Sequence, residues 1–237
     1  MRIAILTTDT LHHAYFVREF VKSYPESIVF EETRALTAPF VTAHPFEQDR
    51  DAHEKATWFG GRHAAISNFA EIRSFGSMNS PEAVAALRDI RADALVVVGT
   101  GKLDRQVIDK VPPGAALNLH GGDPEQYRGL DTHLWAVYHG DFAGLVTALH
   151  VVAPELDTGD IVATSEVSLS RGMTIPQLRG ANTETALQLA LTAFERLDRN
   201  GVLETRPQKN KGRYYSFMPT QLKEICLRKF NRYCEKL

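Results

Sequence analysis

The chain has 237 residues, 43% hydrophobic and 24% charged, with a formal net charge of −2. That length supports one well-buried core, or a core plus a small appendage, in an ordinary globular composition. The near-neutral balance argues against a whole-molecule field for nucleic acid or membrane, and no apolar run reaches the roughly 18 to 20 residues needed to span a bilayer.

The opening run, residues 1 to 6, turns polar at Thr7. It is too short for a signal-peptide core and reads as a first strand, so a cytoplasmic location is expected. The two cysteines, Cys226 and Cys234, are eight apart in a helix-patterned stretch. Helical rise would separate them by roughly 12 Å, too far for a disulfide. With no CxxC pair, no metal is expected. Charge is uneven: residues 201 to 237 carry a balance of +6, which leaves −8 for residues 1 to 200. A basic tail can face a phosphate or form a solvated surface.

Along the chain, strand-like and helix-like segments alternate. Residues 2 to 7 suit a buried parallel strand. Leu11, Ala14, Val17, Phe20 and Val21 then recur at helical spacing. Residues 27 to 32 read as a second strand, 46 to 59 as a polar helix and 71 to 75 as a short strand. Ser80-Pro81-Glu82 combines a hydroxyl cap, a proline at the first helical position and an acid near the positive dipole end. The helix it starts runs to about Ile90. Residues 94 to 98 form a strand ending in Gly99-Thr100-Gly101, and a helix from 103 to 110 follows. Residues 115 to 120 are the next strand and 133 to 139 a short helix. Strands at 145 to 152 and 161 to 167 flank the loop "APELDTGD". A long amphipathic helix spans 174 to 199, then a strand in "RYYSF" and a final helix from 220 to 233.

This alternation predicts an α/β fold: a mostly parallel, Rossmann-like sheet with helices on both faces and a small C-terminal appendage. The charge change near Asn200 sets the expected division, a catalytic domain at 1–200 and an appendage at 201–237. Ligands of such sheets bind beyond the carboxyl ends of strands, so the turns after Val98 and after His120 are the places to look.

The second of these turns carries the unusual chemistry. Asn118 and His120 share one face of an extended segment, and Gly121-Gly122 turn the chain sharply away. An amide beside an imidazole suits a reaction in which an oxygen gains negative charge while a proton moves, as in acyl transfer. It also suits a strand end that is merely closed by hydrogen bonds. Asp157, in "LDTGD", could reach the imidazole from a neighbouring loop and steady its cationic form, or it could cap its own turn. The catalytic alternative requires the three side chains to converge on a pocket that bulk water reaches.

The motifs "NLH", "PEQYRG", "WAVYHGD", "LVTALH" and "LDTGDI", in that order and spacing, resemble the folate-dependent formyltransferase family. The resemblance covers about residues 94 to 167. It implies Asn118, His120 and Asp157 as a catalytic trio and N10-formyltetrahydrofolate as co-substrate. The folate pocket would involve Val98, Gly99, Gly101 and Leu103 on one loop, and Asp157, Gly159 and Asp160 on the other. Gly121-Gly122-Asp123-Pro124 departs from the Pro-Ser-Leu-Leu-Pro common in the family. The loop after the first strand lacks the glycines of a glycinamide ribonucleotide enzyme, and only 37 residues follow Asn200 where a methionyl-tRNA enzyme carries a further domain.

These features, with "YRGLDTHLWA" and "KGRYYSFMP", look most like the sugar-nucleotide N-formyltransferases of bacterial surface polysaccharide synthesis. The resemblance then implies transfer to the 4-amino group of a GDP- or dTDP-linked amino-deoxy sugar. Gly121, Gly122, Tyr127 and Arg128 would lie on the acceptor side. Lys209, Lys211 and Arg213 could face the diphosphate, and Tyr214, Tyr215 or Phe217 could stack on a base. The same tail residues could instead pack or stay solvated. A hydrolase with water as acceptor, and a non-catalytic binder, remain alternatives.

His12 and His13 read as helix surface. Trp58 and Phe59 read as core or dimer contacts. Leu222, Ile225, Cys226 and Phe230 form a stripe that docks within the chain or in a homodimer.

Overall fold

The computed structural model describes residues 1–237. Eight of the nine strands and all seven helices follow the predicted alternation, and a strand at Tyr127–Gly129 is additional. The strands are β1 (Ile3–Thr7), β2 (Ile28–Glu32), β3 (Ile72–Phe75), β4 (Ala94–Val98), β5 (Ala116–His120), β6 (Tyr127–Gly129), β7 (Val146–Val151), β8 (Ile161–Glu166) and β9 (Arg213–Tyr215). The helices are α1 (Leu11–Ser23), α2 (Phe46–Phe59), α3 (Pro81–Ile90), α4 (Arg105–Ile108), α5 (Thr132–His139), α6 (Ile175–Asn200) and α7 (Thr220–Cys234).

Seven strands form one sheet in the order β3-β2-β1-β4-β5-β7-β8. The first five are parallel, while β7 and β8 return antiparallel. Strand order reverses between β1 and β4, which opens a crevice beyond their carboxyl ends. Right-handed crossovers put α1 and α2 on one face and α3 and α4 on the other. α6 joins the first group, packing on α1 and α2.

Local chemistry sets the helix starts. Ser80 Oγ accepts from the Ala83 N–H at 3.2 Å, one residue before Pro81 opens α3. Gln177 reaches back to the Thr174 N–H at 2.8 Å and closes the first turn of α6. The helix expected at 103 to 110 shortens to α4, because Leu103 turns into the main core instead.

That core joins Ile3, Ile5 and Leu6 of β1 to Phe16, Phe20 and Phe194 from the covering helices, all essentially inaccessible. A second cluster gathers Phe46, Tyr127, Val137 and Leu178 around Met218, Cys226, Phe230 and Cys234 of the tail. The α7 stripe therefore docks inside the chain, and both thiols are buried and free.

A two-stranded parallel pairing of β6 with β9 was not anticipated. It joins "YRG" to "RYY" across 86 residues (Tyr127 opposite Arg213). Gly129 permits it: its φ is +95°, and any side chain there would run into the Tyr215 carbonyl. Arg206 forms a further bridge to Ile161. No helix is long and apolar enough to cross a membrane.

Phe230→Ala should cost about 3–5 kcal/mol, as expected for a large aromatic removed from a filled interior. Urea denaturation followed by tryptophan fluorescence would show a lower midpoint with a single transition. A transition unchanged in midpoint would mean that the tail does not share the fold's cooperative unit.

Candidate active site

The register of the sheet builds the site. Val97 stands beside Asn118, and Asn118 stands opposite His150 of β7. The loop after β7 folds back so that Asp157 reaches the same place. Asp157 adopts a left-handed φ of +54°, a conformation that aspartate tolerates better than most side chains. Gly159 behind it lies against the Val151 carbonyl, where a β-carbon would collide.

The predicted trio does come together, around a residue that the sequence reading left out. Asp157 Oδ1 lies 3.6 Å from His120 Nδ1 and 3.5 Å from His150 Nε2. Asp157 Oδ2 accepts the Gly129 N–H at 2.8 Å. His150 Nδ1 donates to the Val151 carbonyl at 2.9 Å, which leaves its Nε2 to accept from the Asn118 amide at 3.0 Å. His150 thus fixes which way the Asn118 amide points. The motif "LVTALH" contained it, but its role appears only from its position opposite Asn118.

Electrostatics follow from burial. Burial opposes the charge on Asp157. His150, His120 and the Gly129 N–H outweigh it and hold the carboxyl down at about 2. Burial pushes the His120 imidazole below its ordinary value, against the opposing pull of Asp157 and the Tyr127 carbonyl. At neutral pH the resting pair is a carboxylate beside a neutral imidazole that would become cationic on gaining a proton.

One expectation is corrected. The imidazole does not open to bulk water: the His120 side chain is 7% exposed. Its Nε2 donates to the Tyr127 carbonyl at 2.7 Å. The segment from Gly122 to Gly129 closes over it because β6 is tied to the tail.

The other residues singled out scatter. Val98 and Gly99 extend β4 past Asn118, and a side chain at Gly99 would strike the His13 ring. The Gly101 N–H donates to Glu32 at 2.7 Å. Leu103 is core, and Asp160 lines a cleft with Met1 and Asp93 at the amino ends of the strands, away from the trio. Gly121 and Gly122 adjoin His120, the latter against Thr132.

Arg128 is buried and donates to the Gly212 and Leu156 carbonyls at 2.7 and 3.2 Å. Lys211 pairs with Glu155 in solvent. Arg213 lies over the Tyr215 ring, which stacks on Tyr127 and Trp135 at 5.6 and 5.0 Å. Tyr214 is exposed, and Gln208 donates to the Asp157 and Gly159 carbonyls at 3.0 and 2.8 Å.

Contrary to expectation, His13 is not on the helix surface. It is buried, donates to the Thr8 carbonyl at 2.9 Å and is pushed down to about 4 by burial. Trp58 is core, stacked on Tyr15 at 4.2 Å with its N–H on Glu184.

Comparison with known proteins places this arrangement. The family model described as "Formyl transferase" matches residues 47–193. The chain is 27% identical over 154 residues to the methionyl-tRNA formyltransferase of Acetivibrio thermocellus, covering 65% of this chain and 49% of that protein. It is 34% identical over 119 residues to the Clostridium novyi enzyme of the same name, covering 49% and 38%. The chain thus spans about half the length of the curated relatives it matches.

Among solved structures, a sugar N-formyltransferase from a Shewanella species superposes with a TM-score of 0.63 at 14% identity, covering 97% of this chain and 87% of that one. The formyltransferase PseJ from Anoxybacillus kamchatkensis, in complex with UDP-4,6-dideoxy-4-formamido-L-AltNAc and tetrahydrofolate, superposes with a TM-score of 0.55 at 18% identity, covering 91% and 86%. This chain belongs to the formyl transferase family, and the site just described lies within the matched region.

Because Asp157 binds its proton less readily folded than unfolded, it stabilises the fold fully above the unfolded value near 3.9 and loses that contribution as pH falls toward 2. Asp157→Asn should therefore cost on the order of 2 kcal/mol at pH 7. The difference from wild type should shrink between about pH 4 and pH 2 in paired denaturation curves. A pH-independent difference would mean that the carboxyl is not held down by its neighbours.

Proposed function

We propose that the chain transfers a formyl group from N10-formyltetrahydrofolate to the 4-amino group of a nucleoside-diphosphate-linked amino-deoxy sugar. The observation that carries this is the convergence of Asn118, His120 and Asp157, with His150 orienting them, in a formyl transferase chain. PseJ, solved with a formamido sugar nucleotide and tetrahydrofolate, supports the acceptor class. HypX of Aquifex aeolicus, solved with tetrahydrofolic acid, further supports folate. The reaction would take place in the cytoplasm and supply surface polysaccharide synthesis.

The residues fit a folate donor. The turn at Val98 and Gly99 is contiguous with Asn118 through the sheet, and backbone and amide groups suit the amide-like edge of a pterin. When bound, the folate would supply a formyl carbon open to attack by an amine. Asn118, its amide fixed by His150, directs an N–H at the oxygen that gains negative charge. His120, neutral at rest, takes the proton that the amine loses and returns it to the departing nitrogen. Asp157 favours the transient imidazolium by charge. No covalent enzyme intermediate is needed. In the closed form Nε2 carries the imidazole's proton and donates it to the Tyr127 carbonyl, so accepting the amine's proton there requires the 122–129 segment to withdraw and the ring to take the tautomer with its proton on Nδ1, facing Asp157.

The curated relatives favour a second reading, in which an aminoacylated tRNA is the acceptor. One assay separates the two. Purified protein is incubated with formyltetrahydrofolate and GDP-, dTDP- or UDP-linked amino sugars, methionyl-tRNA or no acceptor, and folate absorbance is followed. Turnover only with a sugar supports the proposal. Turnover only with tRNA replaces it, and turnover without acceptor identifies a hydrolase.

Asn118→Ala and His120→Ala should each lose at least about 10²–10³ in kcat while remaining folded by circular dichroism. The acid limb of kcat/KM should lie below the ordinary histidine value of 6.5, because the free imidazole is held down. Near-normal transfer by His120→Ala would refute the assignment.

A further inference from the structure

The turn that follows β4 is gripped at both ends and free in the middle. Thr7 Oγ1 donates to the Val98 carbonyl at 2.8 Å and ties the start of the turn to β1. The turn then reaches past β1 to β2, where Glu32 Oε2 accepts the Gly101 N–H at 2.7 Å and Oε1 accepts the Met78 N–H at 3.2 Å. Asn79, on the loop between β3 and α3, grips the far end with both atoms of its amide. Its Nδ2 donates to the Lys102 carbonyl and its Oδ1 accepts the Asp104 N–H, each at 2.8 Å.

Between these ties the backbone N–H and carbonyl groups of Gly99 and Thr100 have no protein partner. Gly99 is exposed and Thr100 half-buried. The two residues offer a short run of alternating donors and acceptors, at the end of the strand whose Val97 stands beside Asn118. The amide-like edge of a pterin carries the complementary alternation.

Glycines at 99 and 101 would otherwise let this turn sample many conformations, and Gly99 holds a φ of +80°. A ligand that needs one conformation binds more weakly in proportion to how seldom that one is populated. Glu32 and Asn79 remove this loss by fixing residues 101 to 104. A carboxylate that accepts backbone N–H groups is a strong tie, because charge-assisted hydrogen bonds exceed neutral ones.

We infer that Glu32 and Asn79 are positioning residues for the donor folate, acting only through the turn they hold, so that Gly99 and Thr100 are preset for the pterin edge. The inference rests on the folate reading above and extends it to two residues outside the catalytic trio.

Calorimetry with folinic acid, a formylated tetrahydrofolate, in the absence of acceptor tests this. Glu32→Ala and Asn79→Ala should each weaken binding about tenfold, the scale of one or two lost hydrogen bonds. The melting temperature should fall by no more than about 4 °C. Glu32→Gln keeps one acceptor oxygen and should be milder than Glu32→Ala. Glu31→Gln, on the same strand but paired with Ser74, should bind as the wild type does. In steady state the folate KM should rise while the acceptor KM and kcat at saturating folate stay unchanged, a split that a general loss of stability would not produce. Amide hydrogen exchange reads the clamp without ligand: Gly101 should exchange faster in Glu32→Ala, and Asp104 faster in Asn79→Ala. Folinic acid bound equally well by the wild type and both alanine variants would overturn the inference and leave the folate reading intact. Loss of kcat and acceptor affinity alongside folate affinity would overturn it too, by marking a merely structural role. No binding by the wild type would overturn the folate reading itself, and the inference with it.

Discussion

A carboxylate held between two imidazoles is the constraint on which the rest of this site depends. Asp157 is nearly buried, and water does little to solvate its charge. The Gly129 N–H donates to it in place of that solvent, and the His120 and His150 rings lie beside it. Losing the Gly129 contact would leave a buried charge partly uncompensated, which is far more costly than losing an exposed ion pair. The arrangement stores an ionised acid next to a neutral base in a dry place, the condition under which a proton accepted by the imidazole is stabilised at once.

The tail serves that carboxylate, though it lies far away in sequence. Gln208 grips the carbonyls of Asp157 and Gly159, and Arg128 ties Leu156 to Gly212. The β6–β9 pairing brings the Gly129 N–H to Asp157 while it draws the Tyr127 carbonyl over His120. One set of contacts therefore both assembles the charge network and closes it. Closure excludes water, which strengthens every interaction inside.

Several of the charged residues elsewhere are paired. Arg179 is neutralised by Glu54 and Asp51, Lys223 pairs with Glu47 beneath the surface, and Lys211 with Glu155 above it. Four of the nine basic residues of the tail, Arg206, Lys211, Lys223 and Arg228, pair with carboxylates, so its +6 balance is only partly neutralised.

The sequence by itself determined the alternation of strands and helices, the cap at Ser80, and the placing of Asn118 and His120 on one face. Each of these follows from spacing and local hydrogen bonding within a few residues. The five ordered motifs also carried the resemblance that the family match bears out. Only the tertiary structure decided the part of His150, which depends on cross-strand register, and the burial of His13, which depends on what packs against α1. The same is true of β6 and of its pairing with β9: the strand expected in "RYYSF" finds this partner because a glycine lets two distant backbones touch. Pairing over such separations is fixed by the whole fold's packing, so no local pattern records it.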